Sequence, residues 1–541
     1  MDKDFAAIDS LIKTSLTYSE LFGTKTESEE IIKEIRSYDL DEALSILSQF
    51  TVLNKESIQS LKQVLYPHVI DKSFVDRIEP FDTQSLMYAM KWFIAYGTRN
   101  PVHSLDNGFD VTFNMLLTVL KIADHMFSDI DDLEEIEDMV IKGSLFVRNT
   151  DLDRSLLRQY IMFEELARDS ELFEQNDFID IHRVFEDKYG YTIQEYVSTV
   201  FSLNLHCVKG RSLKEVLSDK DWGIDTDQFF EKVSIKDKAM EIYKDLCIEP
   251  LELREWAMDS LKNPFDYELL LTKPIFINDR QGKTYPCSAG NMNANIFDGL
   301  FFKIRNCFPK HDTSFFAFFG RLFENYIADT LKKAVSEARI KEYKFIEEFS
   351  YGKMNKKSSD AHIRIGQSLL IVEGKSGRIR KETKIEANER TTVGDFRKYV
   401  VEPIEQANEA YSAILQSEPD RFRGVKKVYI LSVSSHTFPK VPKYNDLISD
   451  KHWLNSLHYT VKKVDYLGLI DLEVIALAIK ELDTTIFRFI DNKKTKADYI
   501  PYSNYYFNKY GKIKRLESHD KKLKEIFRNI NVTLGFKNSD Q

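Results

Sequence analysis

One stretch of this 541-residue chain decides its fold: Ser359-Asp360-Ala361-His362-Ile363-Arg364-Ile365-Gly366-Gln367-Ser368-Leu369-Leu370-Ile371-Val372-Glu373-Gly374-Lys375. Gly366-Gln367 separates two apolar runs and predicts a two-residue turn between antiparallel strands. Counting outward from that turn places Asp360 directly opposite Glu373. The sequence therefore predicts a hairpin whose open end carries one carboxylate on each strand.

The open end of this hairpin concentrates charge. Opposite residues of an antiparallel pair have Cβ atoms about 5 Å apart, so Asp360 and Glu373 would repel each other unless a cation lay between them. Lys375 follows two positions later, and the alternation of a strand returns its side chain to the same face. We therefore expect a divalent cation beside these three residues. The alternative is an ordinary exposed hairpin with charged ends, which would not explain the four apolar residues before Glu373.

The opposite face of the hairpin supports this register. Alternating apolar residues fall on that face and are expected to pack under a helix: Ala361, Ile363, Ile365, Leu370 and Val372. A slip of one residue would scatter them over both faces.

An Asp followed by Glu-x-Lys at the end of an apolar strand resembles the PD-(D/E)xK nuclease superfamily, which has the restriction-endonuclease-like fold. The resemblance covers roughly residues 312–490, with Ser359 at the variable proline position and Gly374 at the x position. It implies an α/β domain with a central mixed sheet flanked by helices. It also implies that Asp360 and Glu373 hold Mg²⁺, for which Mn²⁺ can substitute, and that Lys375 positions or deprotonates the attacking water.

The chemistry of phosphodiester hydrolysis suits these residue types. The reaction needs a cation near the developing oxyanion and an activated water. Hard oxygen ligands without a Cys or His cluster favour Mg²⁺ or Mn²⁺ over Zn²⁺. A phosphate loop at Gly374-Lys375-Ser376 is excluded because Leu369 stands where that loop needs a glycine.

Two flanking helices extend the resemblance. The apolar stretch 315–327 predicts a helix, and the resemblance implies that its Glu324 points toward the metal and ligates it through water. The alternative is a solvent-facing Glu324 on a buried helix. A second helix is predicted to begin near Pro403, and its Gln406 matches a residue that contacts metal-bound water or the substrate backbone in some branches. An ordinary surface glutamine is the alternative.

The order of elements after these helices also fits the resemblance. An apolar run at 425–433 predicts a strand covered on both faces, and 459–464 predicts an edge strand. Asp471 is predicted to be the N-cap of a helix through 472–479.

Charge is unevenly distributed along the chain. The net charge is −10, but residues 1–290 hold 32 basic and 54 acidic residues, whereas 291–541 hold 44 and 32. Residues 351–400 alone carry twelve basic and six acidic side chains. Such a field favours a phosphate backbone and salt-dependent binding, although a solvated loop has the same composition. The residues expected to bind nucleic acid are Arg378, Arg380, Lys381, Arg397 and Lys398.

Four regions are predicted. Residues 1–268 form an acidic all-helical regulatory or interaction region, with apolar spacing such as Ile130, Leu133, Ile136 and Val140. Two hypotheses for this region are that it recruits or senses a protein partner, or that it covers a neighbouring basic site until it is displaced. Residues 269–311 form a hairpin, expected at 274–287, and a connecting helix. Residues 312–490 form the nuclease domain, and residues 491–541 a basic, aromatic extension whose tyrosines are expected to pack on the domain rather than stack on bases.

The remaining composition is that of a cytoplasmic protein. The four cysteines are widely spaced, and no apolar run approaches the roughly 20 residues needed to span a bilayer. We expect a Mg²⁺-dependent endonuclease that acts on nucleic acid, with DNA favoured, in microbial defence or restriction, and a homodimer if both strands are cut. The alternative is a nuclease-fold module with little or no catalysis that binds nucleic acid or a partner within a larger defence or repair complex.

Overall fold

The structure is a computed structural model. It describes residues 14–72, 78–101, 109–126, 137, 140–144, 151–174, 177–208, 210–218, 222–278, 282–379, 383, 389–449, 460–496, 498–511 and 514–536. The fold is mixed α/β, with many helices and a central mixed sheet.

The strands are short except in the central sheet. They are β1 (Thr14–Ser15), β2 (Ile78–Glu79), β3 (Cys247–Ile248), β4 (Ile275–Asn278), β5 (Lys283–Pro286), β6 (Lys344–Glu347), β7 (Ser350–Tyr351), β8 (Lys356–Lys357), β9 (Ala361–Ile365), β10 (Ser368–Lys375), β11 (Lys427–Ser434) and β12 (Thr460–Leu467). The central sheet has the order β12-β11-β10-β9-β6, in which β10, β11 and β12 are parallel and β9 is antiparallel to both neighbours.

Helices make up most of the rest of the chain. In the N-terminal half they are α1 (Tyr18–Phe22), α2 (Ser28–Ile35), α3 (Leu40–Phe50), α4 (Lys55–Leu65), α5 (Thr83–Tyr96), α6 (Phe109–Ala123), α7 (Leu152–Gln159), α8 (Ile181–Tyr189), α9 (Ile193–Val208), α10 (Leu213–Ser218), α11 (Thr226–Phe230), α12 (Lys236–Leu246), α13 (Pro250–Ser260) and α14 (Glu268–Thr272). They continue with α15 (Ala289–Ala294), α16 (Leu300–Arg305), α17 (Ser314–Glu337), α18 (Glu389–Phe396), α19 (Glu402–Ser417), α20 (Pro442–Ser449), α21 (Leu469–Glu481), α22 (Ile486–Lys496), α23 (Tyr502–Tyr510) and α24 (Glu517–Leu534). Short π-helical segments extend α7 (Tyr160–Glu165), join α15 to α16 (Asn295–Gly299) and join α18 to α19 (Arg397–Val401).

The predicted hairpin is confirmed in its register. Ile365 pairs with Ser368 and Ala361 pairs with Val372, so the next positions outward are Asp360 and Glu373. Gly366 has φ +55°, a conformation that glycine adopts without a steric penalty and that a tight hairpin turn requires. The turn chemistry and the strand alternation therefore fix the same pairing.

Each face of the central sheet contributes to a separate hydrophobic core. Ile363, Leu370 and Val372 belong to one core together with α17 and α21. Leu369 and Ile371 belong to the other core together with α19. The N-terminal helices contribute to both cores, α9 to the first and α5 to the second. The division of the chain into four regions remains a prediction.

Most predicted elements around the hairpin are present. The helix at 315–327 is confirmed within α17, and the helix expected near Pro403 is α19, which begins one residue earlier. The strand expected at 425–433 corresponds to β11, and the strand expected at 459–464 corresponds to the edge strand β12. The hairpin expected at 274–287 is the antiparallel pair β4 and β5. Val140 lies in a helical turn, but Ile130, Leu133 and Ile136 lie outside the described residues.

The prediction for Asp471 was wrong. The α21 helix begins at Leu469, with Gly468 as its N-cap, so Asp471 lies inside the first turn. Its Oδ1 instead accepts a hydrogen bond from the backbone N–H of Ser503 (2.8 Å). The Asp471 carboxylate, which the local sequence predicts to cap α21, therefore makes a tertiary contact with the C-terminal extension instead.

Three of the C-terminal tyrosines pack onto the protein as expected, whereas Tyr510 is 39% exposed. Tyr502, Tyr505 and Tyr506 are buried in the core that contains α17 and α21, whereas Phe507 remains exposed. None of the helices in the described part of the chain combines the length and the apolar composition that a membrane span requires.

Candidate active site

The open end of the β9–β10 hairpin lies beneath α17. Asp360 is buried just before β9, and its Oδ2 accepts a hydrogen bond from the backbone N–H of Gly374 on β10 (2.6 Å). A Cβ atom at Gly374 would clash with Cδ1 of Ile327 on α17 and would lie 3.1 Å from Asp360 Oδ2. Glycine at this position therefore lets helix and hairpin approach closely, which holds the Asp360 carboxylate beside β10.

The two opposed carboxylates are electrostatically strained. Burial is the main cause that raises the pKa of Asp360 well above its ordinary value, and the Glu373 carboxylate raises it further. Burial raises the pKa of Glu373 to about 7, although a hydrogen bond with Ser359 and the charge of Lys375 oppose the rise. Two such groups cannot both ionise cheaply, so the pair retains a proton near neutral pH when no cation is bound.

Glu324 lies close to this pair, but its negative charge is balanced by the guanidinium of Arg321. Its charge raises the pKa of both Asp360 and Glu373. Arg321, one turn earlier on α17, donates from Nη1 to Glu324 Oε2 (3.0 Å) and from Nη2 to Glu348 Oε2 (3.1 Å). The structure thus brings Glu324 to the site and places it in an ion-paired network.

Lys375 lies at the edge of the carboxylate pair. Its charge lowers the pKa of Glu373, and its side chain is half-buried. The ammonium group of Lys375 makes no hydrogen bond or ion pair with another described residue. The ammonium group is therefore available to a water or to a phosphate oxygen beside Glu373.

The donor set fits a hard divalent cation. Among the described residues, no group of three or more His, Cys, Asp and Glu side chains is gathered closely enough to hold one ion. Mg²⁺ commonly binds through one or two carboxylates and keeps several waters. A dication between Asp360 and Glu373 would also stabilise the ionised forms of both carboxylates, whose pKa values are raised mainly by burial. The two carboxylates therefore suit Mg²⁺ with water or substrate oxygens as its other ligands.

The predicted phosphate-binding residues differ in their surroundings. Arg378 is largely buried: its Nη1 pairs with Asp298 Oδ1 (2.7 Å), its guanidinium lies 3.8 Å from the centroid of the Phe301 ring, and its side chain is 9% exposed. It serves packing and is not presented to solvent. Arg397 and Lys398 are exposed on the π-helical segment before α19. Arg380 and Lys381 lie outside the described residues.

Two further polar residues are not brought to the carboxylates. Gln406 is exposed on α19 and makes no hydrogen bond to Asp360 or Glu373. His362, which shares the carboxylate face in sequence, is buried between the rings of Phe349 and Phe422. Burial lowers the pKa of His362 to about 4, so this imidazole is a neutral core residue.

Sequence reasoning missed Arg321 and Glu348. Glu348 directly follows β6, which pairs with β9 and so brings its end close to Asp360. The run Lys344–Glu347 has only four residues, with a charged residue at each end, so local pattern alone does not predict a strand there. The position of Glu348 beside Asp360 would have followed from the sequence only if the pairing of β6 with β9 had been predicted.

Replacing Glu373 with Gln is expected to stabilise the metal-free protein at high pH. The folded pKa of Glu373 lies above its unfolded value, so its favourable contribution is present below about pH 4.5 and is lost as pH rises through about 7. At about 1.4 kcal/mol per pKa unit, the variant should gain roughly 1–3 kcal/mol near pH 8 in EDTA and little near pH 4. Urea unfolding at the two pH values measures this.

Mg²⁺ provides the internal control for that prediction. It should raise the stability of the wild type near pH 8 and raise that of the variant much less. Equal stability of the two proteins near pH 8 in EDTA would contradict the destabilising effect of an ionised, buried Glu373.

Comparison with known proteins identifies no relative: no family model, curated protein or solved structure matches this chain.

Proposed function

We propose that this chain is a metal-dependent nuclease of the PD-(D/E)xK type that hydrolyses phosphodiester bonds, with DNA as the favoured substrate. One observation carries the proposal: the hairpin register sets Asp360 against Glu373 in a buried position with Lys375 beside them. The five-stranded mixed sheet with α17 against one face and α19 against the other is compatible with that fold. Mg²⁺ is the proposed cofactor.

Each residue of the site has a distinct proposed task. Asp360 and Glu373 would hold the cation, and Gly374 would orient Asp360 through its backbone N–H. When bound, a divalent ion supplies Lewis-acid stabilisation of a phosphate oxygen and lowers the pKa of water. Lys375 would orient the attacking water or neutralise the charge that develops on the phosphate. Arg321 would neutralise the Glu324 charge, which would otherwise repel an anionic substrate.

The substrate and setting are inferred from charge and from the motif. The positive balance of residues 291–541 favours a polyanion, and the exposed Arg397 and Lys398 lie on the segment that enters α19. Microbial defence or restriction is proposed on the resemblance of the motif. A protein partner of the acidic helical region and a homodimer that cuts both strands remain proposals.

Cleavage assays test this proposal directly. Supercoiled plasmid and end-labelled single-stranded DNA and RNA would be incubated with Mg²⁺, Mn²⁺, Ca²⁺ or EDTA. We expect cutting with Mg²⁺ or Mn²⁺ only. Asp360→Asn, purified identically, is the control for contaminating nucleases because it keeps the hydrogen-bond acceptor for Gly374 and removes the charge. Cutting that persists in this variant would contradict the proposal.

A second candidate is a nuclease-fold module that binds nucleic acid or a partner protein with little or no catalysis. It is favoured because Glu324, the third carboxylate near the pair, is ion-paired with Arg321, and no group of three or more His, Cys, Asp and Glu side chains among the described residues could hold a metal ion. Nucleic-acid binding without cleavage under every metal condition would support this candidate and would reject the nuclease.

A further inference from the structure

The N-terminal half contains a cavity of about 570 Å³ that is distant in sequence from the carboxylate hairpin. It lies among the start of α3, the C-terminal end of α5, the start of α13 and strands β3 and β4. Its volume falls within the range of roughly 300–1,000 Å³ that is usual for small-molecule sites. The size of the cavity therefore suits a small ligand.

The charge of the cavity is opposite to that of its region. Residues 1–290 carry 32 basic and 54 acidic side chains, yet the cavity is lined by three arginines, Arg36, Arg99 and Arg254, and by one carboxylate, Asp41. Asp41 pairs with Arg99 (Nε to Oδ2, 3.2 Å). Arg36 and Arg254 are exposed and make no ion pair with another described residue. The cavity thus presents two uncompensated guanidinium groups.

The backbone adds a further positive feature. Pro250 and Arg254 lie in the first turns of the eleven-residue helix α13, whose N-cap, Glu249, makes no side-chain capping hydrogen bond. The N-terminal end of a helix carries partial positive charge and directs N–H groups outward. This helix end and Arg254 therefore favour the same kind of ligand group.

The interior of the cavity is apolar. Its lining includes the buried side chains of Leu44, Ile94, Leu253 and Phe276 and the half-buried ring of Tyr96. Such a surface binds the apolar or aromatic body of a ligand, whereas arginines bind oxyanions through paired hydrogen bonds. An inorganic anion would leave the apolar lining in contact with water.

We propose that this cavity binds a small organic anion in which a phosphate or carboxylate is attached to an aromatic or apolar body no larger than a mononucleotide. The anionic group contacts Arg36 and Arg254, and the body lies against Tyr96 and the apolar lining. This site is independent of the proposed nuclease, because its ligand binds without a metal ion.

Isothermal titration calorimetry on the full chain in EDTA tests the site. The phosphate-bearing probes are adenosine and guanosine monophosphates, and the carboxylate-bearing probe is benzoate. Adenosine, which has the aromatic body without the anionic group, and inorganic phosphate, which has the anionic group without the body, are the controls. We expect at least one organic anion to bind more tightly than both controls. Tighter binding of a nucleotide would identify the anionic group as a phosphate, and tighter binding of benzoate would identify it as a carboxylate.

Variants assign the binding to the cavity. Arg36→Glu and Arg254→Glu should each weaken binding at least about tenfold, because each removes charged hydrogen bonds, and Arg254→Lys should have an intermediate effect. Arg183→Glu is the matched control, since Arg183 is exposed on α8 and does not line the cavity. Circular dichroism verifies folding. Failure of every organic anion to bind, or equal binding by Arg254→Glu and the wild type, would overturn the proposal.

Discussion

Replacing Lys375 with Met is expected to lower the rate of metal-dependent cleavage by about 10²–10⁴-fold, the range typical of a lost proton-transfer or charge-stabilising group. The Lys375 side chain has no ion-pair partner among the described residues and lies beside Glu373, so the variant should fold normally. Its charge lowers the pKa of Glu373, and assays near pH 8.5 keep Glu373 ionised in both proteins. Single-turnover kinetics measure the effect.

Two controls separate catalysis from binding. Lys398→Met removes an exposed lysine near the start of α19; it is expected to raise KM and reduce the salt dependence of binding with little change in kcat. Mg²⁺ titration of Lys375→Met should give an affinity close to that of the wild type. A cleavage rate for Lys375→Met within about twofold of the wild type would remove this lysine from the proposed mechanism.

Replacing Glu473 with Ala is expected to lower the free energy of unfolding by about 3–5 kcal/mol, since it leaves the largely buried Arg158 guanidinium without its counter-ion and removes one of the two carboxylates that pair with Arg154. Glu473 on α21 accepts from Arg154 Nη1 (3.1 Å), from Arg158 Nε (2.6 Å) and from the Tyr326 hydroxyl (3.0 Å). It therefore links α7, α17 and α21 through one carboxylate. Chemical denaturation near pH 7 measures the loss.

The pH dependence of that loss is a second test. The two arginines hold the pKa of Glu473 below its ordinary value despite its burial, so its contribution is present above about pH 4.3 and is lost as pH falls through the lower folded pKa. Asp483→Asn is the matched control, because Asp483 is exposed and pairs only at the surface with Arg339; it should change stability by less than about 0.5 kcal/mol. A similarly small change for Glu473→Ala would show that the arginines find other partners.

The sequence determined the hairpin and therefore the centre of the candidate site. Gly366-Gln367 set the turn, and the alternation of apolar residues set the faces, so the pairing of Asp360 with Glu373 followed from local rules alone. The main helices and strands around the hairpin also followed from local periodicity. In these segments turn chemistry, alternation and burial all favour one arrangement.

The tertiary structure alone decided which polar side chains reach the site. Arg378 and Arg397 have the same chemistry and lie in one basic stretch, yet the first is buried against Asp298 and Phe301 and the second is exposed. Arg321 acquired its role because β6 brought Glu348 to its guanidinium. Long side chains pair with residues on elements that are far apart in sequence. The spatial distances between such elements are set by tertiary packing rather than by the local sequence pattern.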